Sequence, residues 1–508
     1  MTNGPVPERT FGVLLHPSSL PGPDLIGTLG ARAHEFVEWL GSTGAGIWQI
    51  LPLTINGKEN SPYFSSSAFA GNLWLVDLEE LRDAGLLDVD AVAGLLTAGD
   101  RDGRVDFDAL HRRKMPLLRA AADAFLADTS HPWRERYEEF IVSSSWLDDT
   151  CVFFAVRSQQ GDVPWWEWPA PLRRHDPAAV SAAQVELADE VSRWAAMLFF
   201  FEYQWHELRD AAHANGVRVF GDLPIYVAPD SADVWANQDQ FQLDADGRLA
   251  VQSGVPPDYF SAHGQLWGNP LYRWDTMAAD GYSWWIERLR RCVELTDLVR
   301  IDHFRALSAY WEVAGDASDA IDGRWLPGPG QDFLDALRAA FPEFPFVAED
   351  LGTLDRDVYE LRDRNGLPGM RIVQFGFDGT PDNPHLTGVY PEACIAYTGT
   401  HDNEPIAGWW NSLDPGLRDA AGSYYQHGAD ADAGRAVWSF IEAVMASRAV
   451  AAVVPMQDLL VLDGRARMND PSTPDGNWGW RMPPTGASAE LARSVAEVAA
   501  RYGRTSAT

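Results

Sequence analysis

The sequence predicts a (β/α)8 barrel with inserted, mostly helical subdomains, long loops at the C-terminal face of the barrel and no separate C-terminal β-domain. Three stretches carry that expectation. Residues 298–306 (Leu-Val-Arg-Ile-Asp-His-Phe-Arg-Ala), 345–352 (Pro-Phe-Val-Ala-Glu-Asp-Leu-Gly) and 394–404 (Cys-Ile-Ala-Tyr-Thr-Gly-Thr-His-Asp-Asn-Glu) each run apolar and then end in acid. Acids at the C-terminal ends of several parallel strands are how such a barrel builds its site. In the first stretch, alternation along a strand turns Arg300 and Asp302 to one side and Val299, Ile301 and His303 toward the other. A guanidinium beside a carboxylate favours the ionised form, which is the state a nucleophile needs. A purely structural Arg–Asp pair is the alternative for this stretch alone.

Composition narrows the function before any motif is weighed. At 508 residues the chain has room for one large barrel with insertions or for two or three average domains. A formal net charge of −33 repels nucleic-acid phosphates and anionic membranes, and suits a neutral substrate. Cys151, Cys292 and Cys394 are too scattered for a disulfide framework or a zinc cluster, which points to a reducing compartment. The first thirty residues lack a signal-peptide pattern, and no uncharged apolar run reaches about 18 residues, so a cytoplasmic location is expected. The 22 tryptophans stand out: most fill cores by default, but a few in loops would stack on the apolar faces of sugar rings.

Taken in order, residues 11–17 and 46–53 read as the first strands, separated by a helix near 32–41. The small, polar and aromatic loop 60–67 follows, with Tyr63 in it. From about 76 to 216 the pattern is helical, including one long run over 177–213 closed by Asn215-Gly216, and it reads as an inserted subdomain. Trp165, Trp166 and Trp168 within it suggest a hydrophobic corner between helices more than a sugar platform. The strand 217–222 ends on Asp222. A second insertion, about 228–296, holds a lid loop with little regular pattern and then a helix. Gln265, Trp267 and Asn269 alternate there and would face one side of an extended segment, suited to holding a sugar unless the loop is only a cover. A helix over 354–365, strands over 370–378 and from 394, and a helix-to-strand unit over 449–462 complete one catalytic barrel spanning 1–508.

Residues 299–305, 346–352 and 397–405, together with 221–227 and 264–272, resemble the 4-α-glucanotransferases called amylomaltases, glycoside hydrolase family 77. The resemblance begins near Phe11 and includes a closing signature over 467–481, with Ser472 where many relatives have glycine. It implies a retaining transferase of α-1,4-glucans and maltooligosaccharides, monomeric or homodimeric, with Asp302 as nucleophile, Glu349 as general acid/base and Asp402 as transition-state stabiliser. Tyr63 would stack on the sugar beside the cleaved bond. Asp222, Gln265, Trp267, Asn269, Arg300, His303 and His401 are the expected substrate-binding residues.

The residues themselves support that chemistry. Retention requires two carboxyl groups about 5–5.5 Å apart, one attacking the anomeric carbon and one protonating the leaving oxygen. Of the two adjacent acids, Asp350 should point away from the face that Glu349 shares with Asp302. No cofactor or metal is expected. A cation held by Asp222, Asp302 and Asp402 is the main alternative use of these acids, and Arg300 argues against it. A retaining hydrolase and a non-catalytic glucan-binding protein remain the competing functions at this level.

Overall fold

In the computed structural model, residues 6, 9–96, 103–257, 262–352, 354–380 and 382–505 are described. Their strands are β1 (Thr10–Leu14), β2 (Ile47–Gln49), β3 (Arg218–Leu223), β4 (Val251–Val255), β5 (Gln265–Pro270), β6 (Leu298–Ile301), β7 (Ala309–Ala314), β8 (Arg324–Pro327), β9 (Phe346–Ala348), β10 (Gly369–Ile372), β11 (Cys394–Tyr397) and β12 (Ala451–Pro455). Eight of them form one parallel sheet in the order β10, β11, β12, β1, β2, β3, β6, β9. The Ala348 N–H of β9 donates to Pro368 O at 2.9 Å, just before β10, and so joins the two ends of the sheet into a barrel. Strands covered on both faces read as unbroken apolar runs, and β6, β11 and β12 are buried along their whole length.

Local sequence sets the packing of the first strands. Gly12 on β1 lies so close to β2 that a Cβ there would come within 2.7 Å of the Ile47 Cβ. A helix follows or precedes each barrel strand, among them Ala31–Thr43, Ser283–Leu295, Gly330–Ala340, Arg356–Arg364, Ala433–Ala446 and Ala489–Arg501. The first ends on Gly44 at φ 75°, a left-handed cap that glycine adopts without strain. The last docks on the first, where the Trp39 indole donates to Ser488 O at 3.0 Å. Arg356–Arg364 starts later than the expected 354 because the Asp355 side chain caps it by accepting the Val358 N–H.

Between β2 and β3 the described residues from Leu78 to Ala214 are helical apart from their connections. The single helix expected over 177–213 is broken at Leu187 into Pro177–Glu186 and Ala188–Ala214, since Leu187 sits at φ −104°, ψ 23°. Trp165 and Trp168 are buried, and the Trp165 indole donates to Pro229 O at 2.8 Å, so this corner packs the subdomain onto the loop after β3. Helix Ser283–Leu295 pins that loop from below, with the Arg288 guanidinium donating to Pro224 O at 2.6 Å.

The second insertion departs from the expected irregular lid. Its strands β4 and β5 pair with β7 and β8 in a four-stranded antiparallel sheet, in the order β5, β4, β7, β8. Gly254, Gly268 and Asn269 weaken the strand signal, and the partners β7 and β8 lie beyond β6, outside the segment being read. Positions 258–261 of that lid lie outside the described residues. The strand expected over 370–378 is also shorter: after Ile372 the chain turns into a 3-10 segment, Val373–Gly376. After β12 the described residues contain helices and loops and no further β-domain.

Candidate active site

Arg300 is buried beside the cleft and organises a group of acids there. Register pairs it directly with Asp222 across β3 and β6, and its Nη1 donates to Asp222 Oδ2 at 2.6 Å. Its Nη2 lies 2.6 Å from Asp302 Oδ1, two residues along, as strand alternation predicts. Tyr63 closes the group from the loop after β2, its hydroxyl donating to Asp222 Oδ2 at 2.8 Å. The Asp222 side chain is 0% exposed, and burial pushes its carboxyl upward while Arg300 pulls it down. Asp302 keeps 28% of its side chain exposed, so of the two partners of Arg300 it is the one open to the cleft.

Glu349 stands one residue past β9, and its own N–H continues the ladder by donating to Ile301 O at 3.0 Å. Its Oε2 accepts the His303 N–H at 2.8 Å and its Oε1 the Leu351 N–H at 2.9 Å. Burial, reinforced by the charges of Asp302 and Asp350, pushes the Glu349 carboxyl up to about 8 against the opposing pull of Arg300 and of the Leu351 N–H. His303 reaches Glu349 only by adopting φ 47°, a left-handed conformation that costs a non-glycine residue energy and occurs preferentially at functional sites. Burial holds its imidazole down to about 4, so the ring is neutral at pH 7. Asp350 points the other way, as expected: its Oδ1 accepts the Met370 N–H at 2.6 Å, and Arg362 and Arg371 pair with its Oδ2. It fastens β9 to β10 and is structural.

The third acid lines the same cleft as Asp302 and comes from another strand end. Asp402 follows β11, keeps 40% of its side chain exposed, and its Oδ1 lies 3.3 Å from His401 Nε2. The His401 ring stacks on Tyr63 with centroids 5.2 Å apart and planes inclined by 12°. Trp478 leans on both, 5.6 Å from Tyr63 and 6.0 Å from His401. Together with Trp267, Asp302 and Asp402 these rings line one open cleft. Its aromatic walls and carboxylate floor match what a chain of sugar rings presents: flat apolar faces edged with hydroxyls.

A sequence model of the 4-alpha-glucanotransferase family, within the glycoside hydrolases of family 77, matches residues 15–487. The chain belongs to this family. It is 43% identical to the 4-alpha-glucanotransferase of Thermus thermophilus over 97% of this chain and 99% of that one. It is 39% identical to the chloroplastic/amyloplastic 4-alpha-glucanotransferase of Solanum tuberosum, over 98% of this chain and 87% of the relative. Among solved structures, the amylomaltase of Streptococcus agalactiae in complex with acarbose superposes with a TM-score of 0.93 at 35% identity, covering 98% of this chain and all of the other. The activity is therefore transglycosylation of α-1,4-glucans, carried by a TIM barrel.

In this 4-alpha-glucanotransferase the strand β5 carries Gln265, Trp267 and Asn269 at alternate positions, and they do not contribute equally. The Trp267 indole meets the His303 ring edge-to-face at 4.7 Å and donates to Gln265 Oε1 at 3.1 Å, which ties it to the centre of the cleft. Asn269 is 6% exposed, and its amide donates to Val227 O at 2.9 Å, so it braces β5 against the loop after β3. Asp222 and Arg300 are buried and paired with each other, and Tyr63 and Asp302 stand between them and the cleft. Asn469, Asn477 and Trp478 also line the cleft but had no assigned role in the sequence reading. They come from the closing signature, where asparagine and tryptophan clustered in a loop were the available signal. In that loop Ser472 donates its backbone N–H and hydroxyl to Asp470 Oδ1 at 3.0 and 2.7 Å, a local turn that leaves the catalytic groups untouched.

Proposed function

We propose that this 4-α-glucanotransferase works by double displacement, with Asp302 as nucleophile, Glu349 as general acid/base and Asp402 as stabiliser of the transition state. The observation that carries the reading is the contrast between the two acids: Asp302 opens to the cleft with its Oδ1 2.6 Å from Arg300 Nη2, while burial pushes the Glu349 carboxyl up to about 8, so that it holds a proton near neutrality. In the first half-reaction Glu349 donates its proton to the glycosidic oxygen, the bond from that oxygen to the anomeric carbon breaks, and Asp302 Oδ closes on the carbon. The leaving chain departs with its new hydroxyl. In the second, Glu349, now a carboxylate, takes the proton of an acceptor 4-hydroxyl as that oxygen displaces Asp302. One bond is made for each bond broken.

Asp402 and His401 are suited to holding hydroxyls of the distorted sugar, where hydrogen bonds strengthen as oxocarbenium character develops. Tyr63 offers a ring for that sugar to stack on. Trp267, Gln265 and the neutral His303 form the side from which an acceptor approaches, and ordering an acceptor there raises its effective concentration over that of water. Arg300 occupies the space between Asp222 and Asp302 that a bridging cation would need, which favours the covalent reading over a metal site. The partners are α-1,4-glucans and maltooligosaccharides, and the net charge of −33 disfavours nucleic acid and anionic membrane. Among the described residues no helix is long and apolar enough to cross a membrane. Three free cysteines support a reducing, cytoplasmic setting for a monomer or homodimer.

Incubation with maltotriose tests the reaction class. Glucose and a ladder of longer maltooligosaccharides should form with almost no rise in total reducing ends, with or without a chelator. A rise equal to the number of bonds cleaved would identify a hydrolase, and loss with chelator would restore the metal site.

A further inference from the structure

Asp402 has His401 beside it on its own segment, with Nε2 3.3 Å from its Oδ1. Its carboxylate is also held from another part of the chain, by the loop that follows β12. Asn469 Nδ2 donates to Asp402 Oδ1 at 2.6 Å, and only the amide nitrogen can face a carboxylate in this way. The backbone repeats the tie, with the Asn469 N–H donating to His401 O at 3.0 Å, and Arg467 donates through its Nη2 to Asp402 O. Arg467 also fixes the loop internally, its Nε donating to Asn469 O at 2.8 Å. Asn477 stabilises the turn between these residues and Trp478, accepting the Asp470 N–H at 2.8 Å and donating to Thr473 O at 2.8 Å. Trp478 itself sits at φ 63°, an uncommon conformation for a bulky residue, and donates its N–H to Met468 O at 2.7 Å.

These contacts share a direction. Asn469 and His401 both address Oδ1 of Asp402, so the other oxygen, Oδ2, is the one presented to a sugar in the cleft. We infer that Asn469 is a positioning residue, fixing the rotation of the Asp402 carboxylate so that a single oxygen faces the sugar hydroxyls as the transition state forms. The inference rests on the stabiliser reading of Asp402. Partners that orient a carboxylate ligand of a metal typically change activity by about 10–100-fold, and an effect of that order is expected for the carboxylate oriented here.

The test is a double-mutant cycle on the full-length enzyme, with turnover measured on maltotriose and on an activated glycosyl fluoride donor. Asn469→Ala should lower kcat about 10–100-fold with little change in KM, and should lower it by less than about twofold when Asp402 is already alanine. Asn469→Asp keeps the shape but sets a second carboxylate against Oδ1, and its activity should recover as pH falls and one proton is shared between the pair. Near-wild-type activity for Asn469→Asp at all pH values would show that the amide only fills space and would overturn the inference. An equal loss from Asn469→Ala in both backgrounds would overturn it too, by assigning Asn469 to direct sugar contact. Wild-type turnover in Asp402→Ala would sink the stabiliser reading, and this inference with it.

Discussion

The two walls of the cleft are built on different principles. On one, Asp222, Arg300, Asp302 and Glu349 come from adjacent parallel strands, with Asp222 and Arg300 buried, the Glu349 carboxyl desolvated and Arg300 bridging the two aspartates. On the other, His401 and Asp402 leave β11 into a half-open loop and are held by hydrogen bonds and ring stacking from segments far away in the chain. The first wall sets protonation and the second sets placement. Burial makes electrostatics strong enough to push the Glu349 carboxyl up, and it also makes every unpaired charge costly. Openness gives that leverage up and leaves room for a substrate.

The sharpest way to break this contrast is to damage each wall in turn. Arg300→Met removes the partner of a fully buried Asp222, so it should cost about 3–5 kcal/mol of stability together with nearly all activity. Asp402→Asn should cost less than about 0.5 kcal/mol, because the side chain is 40% exposed, while activity falls by about 10² or more. Denaturant unfolding and initial rates on the same preparations measure both quantities. Equal stability losses would mean that the walls do not differ.

The next effect is a pH dependence confined to the buried wall. Glu349 must be protonated to act as acid, so kcat/KM should fall as pH rises through about 8. Stability follows the same group in the opposite sense to an ordinary carboxylate. Its folded pKa lies above its usual 4.5, so the native state holds the proton longer than the unfolded chain does, and the contribution present at low pH is lost as pH rises from about 4.5 to 8. Relative to wild type, Glu349→Gln should therefore gain stability across that window and level off above it. A constant difference from pH 4 to 9 would refute the raised carboxyl.

How much of this was legible in the sequence differs between the walls for the same physical reason. Arg300, Asp302, Asp222 and Glu349 sit on or just beyond strands whose period of two fixes the face, so residue spacing alone paired Arg300 with Asp302 and sent Asp350 the other way. The lid was harder to read. Gln265, Trp267 and Asn269 were correctly taken as alternating, but their sheet depends on β7 and β8, and no local pattern announces a partner beyond the next barrel strand. Asn269 lines the cleft and also donates its amide to Val227 O, a tie that no local pattern announces. Asn469 stood within the closing signature over 467–481, but an asparagine in a polar loop has no periodicity to assign its partner, and only the folded chain brings it to Asp402.

A smaller effect distinguishes the lid from both walls. Trp267 rests edge-to-face on His303, so Trp267→Ala should admit water beside the intermediate and lower the ratio of transfer to hydrolysis severalfold, with total bond cleavage reduced less. An unchanged ratio would make Trp267 a packing residue.

The central claim, that Asp302 and Glu349 divide attack from proton transfer, is tested most directly by trapping the intermediate. In Glu349→Gln, an activated glycosyl fluoride needs no acid to leave, while release of the enzyme-bound sugar lacks its base. Intact-protein mass spectrometry should show one added glycosyl unit, and peptide mapping should place it on Asp302. Attachment to another carboxylate, or rapid turnover of the fluoride with no adduct while Asp302→Asn remains active, would contradict the account.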